Sequence, residues 1–161
     1  MMKRDDLQGL KLSNPIHFAA VGFGSGLASK APGTFGTLAA VPIYYLMSFL
    51  SLEIYITILA CSSLLGFWIC HITSRDMGVH DHKAIVWDEF VGYWITMVTV
   101  PFSLQWAIVG FILFRFFDIL KPYPIGWLDK KVHGGLGIMI DDIVAGLFSA
   151  ALLQFLMYIY R

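Results

Sequence analysis

Hydrophobic positions in this chain come in long runs without charge, separated by short polar intervals. The first run covers residues 36–52, the second 54–73 with Glu53 at the turn between them, and the last 143–160, ending at Arg161. Roughly 20 apolar residues suffice to cross hydrocarbon as a helix. A further uncharged stretch, residues 90–114, is interrupted by Val100-Pro101-Phe-Ser103. Proline ends or kinks a helix, so this stretch is predicted to form two short spans joined by a tight hairpin. Each half is about 20 Å long at 1.5 Å per residue and is expected to be tilted against its neighbours or shielded by them. The pattern predicts an all-α, multi-pass transmembrane helical bundle of about five spans. A single domain covers residues 1–161, beginning with a polar segment, 1–14, that carries Lys3, Arg4, Asp5, Asp6 and Lys11 and suits an interfacial helix.

The placement of lysine and arginine orients the bundle, because cytoplasmic loops beside spans are enriched in both. The segment through Lys30, the loop with Arg75 and Lys83, and the loop with Lys121, Lys130 and Lys131 are basic, whereas the turns near Glu53 and Pro101 carry neither residue. Five spans with the N-terminus inside put every basic loop, and the acids beside them, on the cytoplasmic face. A single span over 90–114 would separate Asp88-Glu89 from Asp118, and is rejected on that ground.

Composition sharpens the picture. Hydrophobic residues make up 58% of the chain and charged ones 14%, with a mean hydropathy of +0.72, against about a quarter charged in soluble domains. Net formal charge is zero, which leaves no electrostatic footprint for nucleic acid. Cys61 and Cys70 lie inside an apolar run, so neither a disulfide framework nor a cysteine zinc site is expected. The N-terminus lacks the apolar core of a secretory signal. No pattern in the sequence specifies an oligomeric state.

The few charges are concentrated. Asp88-Glu89 opens the third span; Arg115, Asp118 and Lys121 lie three apart on one side of the fourth helix; Asp129 follows; and Asp141-Asp142 begins the final span after the glycine-rich link 134–137. Acids at helix starts can serve as caps, and Arg115 with Asp118 can form an ion-pair ladder. The small residues Ala145 and Gly146 would let another helix come close, which brings carboxylates together. Mutual repulsion among them then demands a cation or a change of protonation, and an oxygen-rich set suits Mg²⁺. The residues from Lys30 through Gly33, Thr34, Gly36 and Thr37 are dense in glycine and proline and read as a loop with free amides and hydroxyls. His80, His82 and His133 read as ordinary loop histidines, and His17 and His71 as structural.

A carboxylate cluster for a hard metal, cations at Lys30, Arg115 and Lys121 able to meet phosphate, and a glycine/threonine loop together make a kit for phosphoryl transfer. The membrane setting makes a lipid the natural substrate. Other phosphoryl chemistries fail on spacing. Arg75 follows Cys70 one residue too soon for a cysteine-phosphatase loop, and no Gly-Lys-Ser/Thr loop is present. Asp141-Asp142-Ile-Val also lacks the spacing of an aspartyl-phosphate hydrolase.

Several long motifs, in order from about residue 13 to 146, resemble the phosphatidylglycerophosphatase A family. They are Ala31-Pro-Gly-Thr34-Phe-Gly-Thr37, Val86-Trp-Asp88-Glu89-Phe-Val-Gly92, Phe114-Arg115-Phe-Phe-Asp118-Ile-Leu-Lys121-Pro122-Tyr-Pro124, and Asp129 through His133-Gly-Gly-Leu-Gly-Ile-Met-Ile-Asp141-Asp142-Ile-Val-Ala-Gly146. The resemblance implies a bacterial inner-membrane enzyme, active on the cytoplasmic side, that uses Mg²⁺ to hydrolyse the terminal phosphate of phosphatidylglycerophosphate, giving phosphatidylglycerol and phosphate. Its acids carry over to Asp88, Glu89, Asp118, Asp129, Asp141 and Asp142, and its glycine/threonine loop to Gly33, Thr34, Gly36 and Thr37. Our own division of roles among these residues expects Glu89, Asp118 and one or both of Asp141 and Asp142 to hold metal, a remaining acid such as Asp88 to position water, and Lys30, Arg115 and Lys121 to meet phosphate, with a carboxylate nucleophile left open. A small ion or proton transporter with buried carboxylates is the alternative, and it would spread its acids along a path through the bilayer. A membrane assembly subunit using the charges as interhelical glue would release no phosphate.

Overall fold

Pro15 and Pro32 each sit in the first turn of a helix, where the missing N–H has no intrahelical partner to lose. Gly78, in the left-handed conformation, closes a long helix at its other end. The computed structural model describes residues 7–160 of the chain. Its elements are α1 (Pro15–Ala20), a 3-10 segment (Gly22–Leu27), α2 (Pro32–Met47), α3 (Leu52–Met77), α4 (Trp87–Thr96), α5 (Leu104–Leu120), α6 (Ile125–Lys131) and α7 (Gly134–Ile159). Among the described residues there is no strand, so the all-α expectation holds. Of the segment 1–14 read as an interfacial helix, residues 1–6 lie outside the described residues, and residues 7–14 form turns rather than an α-helix.

α3 and α7, 26 residues each, are the two helices among the described residues long and apolar enough to cross a membrane. The run read as 36–52 covers α2 from Gly36 to Met47 and then the turn to Leu52 at the start of α3, and 54–73 lies within α3. The stretch 90–114 is divided at Pro101 as expected, into α4 and α5. α4 is only 10 residues long and sits at the centre. Eight of its ten residues besides Asp88 and Glu89 are buried, the pattern of a helix apolar all round. The Trp94 indole donates to the Ala40 carbonyl of α2 (3.1 Å), the Trp87 indole to Ser62 of α3 (3.0 Å), and the Tyr93 hydroxyl to Ala107 of α5 (3.2 Å). These contacts pair α4 in parallel with α2 and antiparallel to α3 and α5. One end of the bundle therefore gathers the starts of α2, α4 and α7 with the finishes of α3 and α5. Lys30, Lys83, Lys121, Lys130 and Lys131 flank that end, and Glu53 lies at the other.

α4 and α7 cross where both are glycine. A Cβ on Gly146 would stand 2.5 Å from the Gly92 carbonyl oxygen, and one on Gly92 would strike the Phe114 ring. The close approach expected from Ala145 and Gly146 is thus present, and it fixes how near the carboxylates one turn earlier come.

Two expectations about local structure are corrected. Residues 134–137 are not a link but the first turn of α7, so Asp141 and Asp142 lie about two turns inside the helix. Gly135 packs where a side chain would collide with the Phe67 carbonyl. Residues 33–37 are likewise helical, forming the first turns of α2. Their glycines serve contact rather than loop formation, since a Cβ on Gly36 would come within 2.7 Å of Val86, and one on Gly33 would overlap Glu89.

Candidate active site

Asp88 and Glu89 occupy the first turn of α4, four and three residues before Gly92; Asp142 stands four residues before Gly146 on α7. Because the helices run parallel and touch at the two glycines, the carboxylates preceding them meet. Asp88, Glu89 and Asp142 each bring an oxygen to within 4.8 Å of the others. Asp88 Oδ1, Glu89 Oε2, Asp141 Oδ1 and Asp142 Oδ2 are buried without a hydrogen-bond partner. Buried polar atoms are nearly always partnered, and like charges this close repel strongly in a low-dielectric setting. All-oxygen donors converging in this way suit a hard divalent cation.

The cations around the cluster are engaged. Arg115 Nη1 lies 2.5 Å from Asp118 Oδ2 and 3.7 Å from Glu89 Oε1, the ladder that the three-residue spacing suggested. Lys121, at the end of α5, donates to Asp129 Oδ1 and Asp141 Oδ2, both at 2.6 Å, and so ties α5, α6 and α7 together. Burial works against the charge of Lys121, but the carboxylates of Asp141 and Asp129 outweigh it and hold the ammonium protonated above the usual lysine range.

Apart from Asp129, these groups line a cavity of about 300 Å³ shared with Pro32, Gly33, Asp81, Lys83 and Ile119. Lys83 has no ion-pair or hydrogen-bond partner for its ammonium among the described residues. Neither Asp81 nor Lys83 was expected at the site. The signal was available in chain length, because a short loop that ends at Asp88 cannot stray far from it.

The structure brings together Asp88, Glu89, Asp118, Asp141, Asp142, Arg115, Lys121 and Gly33 on this cavity. Of the four residues expected to hold metal, Glu89 and Asp142 meet Asp88, while Asp118 pairs with Arg115 and Asp141 with Lys121. Asp129 is off the cavity lining, with its carboxylate on Lys121. Lys30 is exposed and is not on the lining, although its neighbour Ala31 is. The free hydroxyl expected of Thr37 is absent, since its Oγ1 is buried and donates to the Gly33 carbonyl at 2.9 Å. Gly36 faces Val86, and Thr34 lines a neighbouring groove. His80 Nε2 accepts from the Gly134 amide at 2.8 Å, pinning the 78–86 loop to the start of α7.

The sequence model of the family described as Phosphatidylglycerophosphatase A matches residues 18–157. The chain belongs to the phosphatidylglycerophosphatase A family. Within it, the chain is 55% identical to phosphatidylglycerophosphatase A of Escherichia coli, over 91% of the chain and 86% of that protein. It is 48% identical to phosphatidylglycerophosphatase A of Haemophilus influenzae, over 98% of both. A relative in Bacteroides thetaiotaomicron, provisionally named a phosphatidylinositol-3-phosphatase, is 36% identical over 82% of the chain and 87% of its own length. No solved structure matches. Membership covers the helices that build the cavity, from α2 through α7.

Proposed function

We propose that this chain hydrolyses the terminal phosphate monoester of phosphatidylglycerophosphate, releasing phosphatidylglycerol and inorganic phosphate, with Mg²⁺ held by Asp88, Glu89 and Asp142. The observation that carries it is the meeting of three carboxylates, each with a buried and unpartnered oxygen, in a cavity that also holds three cations. Bound there, Mg²⁺ would neutralise phosphate charge and acidify a coordinated water.

The chain's own side chains have separate tasks. Asp118 aims the Arg115 guanidinium across the cavity, where it meets phosphate oxygens in a fork geometry that Lys cannot offer. Lys83, whose ammonium has no partner among the described residues, supplies the charge that draws the anionic head group in. Asp141 is fixed through Oδ2 by Lys121, which leaves its buried Oδ1 to orient the attacking water and accept its proton. The bond from phosphorus to the lipid oxygen breaks as water oxygen bonds to phosphorus, and the alkoxide leaves as the alcohol after taking up a proton. The start of α2, with Pro32 and Gly33 on the cavity, adds the positive end of a helix dipole.

The chain sits in the inner membrane of a bacterium as about five spans, α2 to α5 and α7, with the cavity toward the cytoplasm. Support comes from the apolar outer surface, where Leu46, Leu64, Leu104 and Phe155 are exposed, and from basic residues at the cavity end. The acids collect at that end rather than along a path through the bundle, which favours the phosphatase over a carrier.

The test is phosphate release by purified protein from phosphatidylglycerophosphate in detergent. Release should stop with chelator and return with Mg²⁺. No release with Mg²⁺ present overturns the activity, and release indifferent to chelator overturns the metal.

A further inference from the structure

Beside the carboxylate cavity is a second, apolar depression of about 570 Å³ on the outer face of α5, reached also by Thr34 of α2. Arg115 and Ile119 line both. Farther along the same pair of helices a smaller apolar depression of about 190 Å³ lies between Leu38 and Val41 of α2 and Ala107 and Ile108 of α5. Phe111 lines both depressions, so they adjoin along α2 and α5 and together are called the groove. Its course from Arg115 to Leu104 covers eleven residues of α5, roughly 16 Å at 1.5 Å per residue. One leaflet of a hydrocarbon core about 30 Å thick is half of that thickness. The groove is thus a leaflet deep, apolar along its length, and capped by one cation, Arg115, where it reaches the acids.

We propose that the groove between α2 and α5 seats an acyl chain of the phospholipid substrate, so that the lipid reaches the carboxylates sideways from the bilayer with its phosphate drawn under Arg115. The occupant is an amphiphile with an anionic head and at least one long hydrocarbon tail. This rests on the lipid-phosphatase reading above and deepens it. Among the described residues, the exposed large apolar side chains outside the groove, such as Leu64 and Trp68 on α3, are not on the lining of the carboxylate cavity. Contact with bulk lipid explains those side chains, but it does not explain a groove that ends at Arg115.

Two measurements test it. The first uses phosphatidylglycerophosphate carrying a diazirine at the end of one acyl chain, bound to the full-length protein in detergent without Mg²⁺ and irradiated. Adducts should concentrate on Leu38, Ala107, Ile108 and Phe111, and excess unlabelled phosphatidylglycerophosphate should remove them. Adducts spread evenly over α3 and α5, or indifferent to the competitor, would overturn the groove and leave only surrounding lipid. This readout needs no turnover, so it stands apart from the activity itself. The second compares long-chain and dihexanoyl phosphatidylglycerophosphate. Ile108→Trp, filling the groove at an exposed position, should lower the long-chain to short-chain ratio of kcat/KM about tenfold, the equivalent of losing contact with about two methylenes. Leu64→Trp on α3 should leave the ratio as it was. An unchanged ratio in Ile108→Trp would overturn the proposal even if both substrates are hydrolysed, whereas hydrolysis of neither by the parent protein would overturn the phosphatase reading instead.

Discussion

The two ends of this bundle treat buried polar groups in opposite ways. Around the turns at 48–51 and 97–103, polar atoms are answered within the protein. The Tyr44 hydroxyl donates to Val100 O (2.9 Å), Tyr55 to Trp94 O (2.7 Å), and the Gln154 amide to Val98 O and Thr99 Oγ1. At the other end, four carboxylate oxygens are buried and unanswered. A satisfied network rigidifies a fold, while an unsatisfied one is costly unless something completes it. The first end holds the helices together, and the second keeps its bonding capacity for a ligand.

The largest way to break this contrast is to remove charge from the unanswered cluster. Asp142→Asn and Glu89→Gln should each lower phosphate release at least about a hundredfold, as loss of one preorganised charge-stabilising group does, with helicity by circular dichroism retained. Turnover close to the parent rate in either would end the contrast. Asp118→Asn and Asp141→Asn loosen Arg115 and Lys121 rather than the cluster, and should lower release about ten- to a hundredfold, the range for groups that orient a site. Gly146→Ala tests the crossing that brings the acids together. Its methyl group, 2.5 Å from the Gly92 carbonyl, should destabilise the fold by about 1–3 kcal/mol, seen as a lower Tm in detergent together with a fall in release. Lys83→Gln sharpens the division among the cations by raising KM about tenfold with kcat little changed, the mark of uniform binding lost. The smallest effect belongs to the answered end: Tyr55→Phe should cost about 1 kcal/mol of stability and leave turnover unaltered.

Much of this was legible along the chain. Charge-free runs gave α2, α3 and α7, Pro101 gave the break between α4 and α5, and Gly146 gave the crossing. The glycines misled where they serve packing. Gly33, Gly36 and Gly135 look like loop residues by composition, yet each lies in a helix at a spot where a neighbour leaves no room for a side chain. That placement moved Asp141 and Asp142 inside α7 and removed the expected loop of free hydroxyls. The acids themselves were found from their clustering, but their division was not. Whether an aspartate joins the cluster or an ion pair depends on helix rotation, and rotation is set by contacts such as Gly92 with Gly146 that no local pattern encodes.

α4 is wrapped by α2, α3, α5 and α7, and leaves little surface to the surroundings. A sequence so enclosed has almost no latitude to drift, because an altered side chain there must be matched on whichever neighbour it touches. Tolerance for change in this protein therefore lies on the outward faces of the surrounding helices, and residues 87–96 form its least forgiving decade.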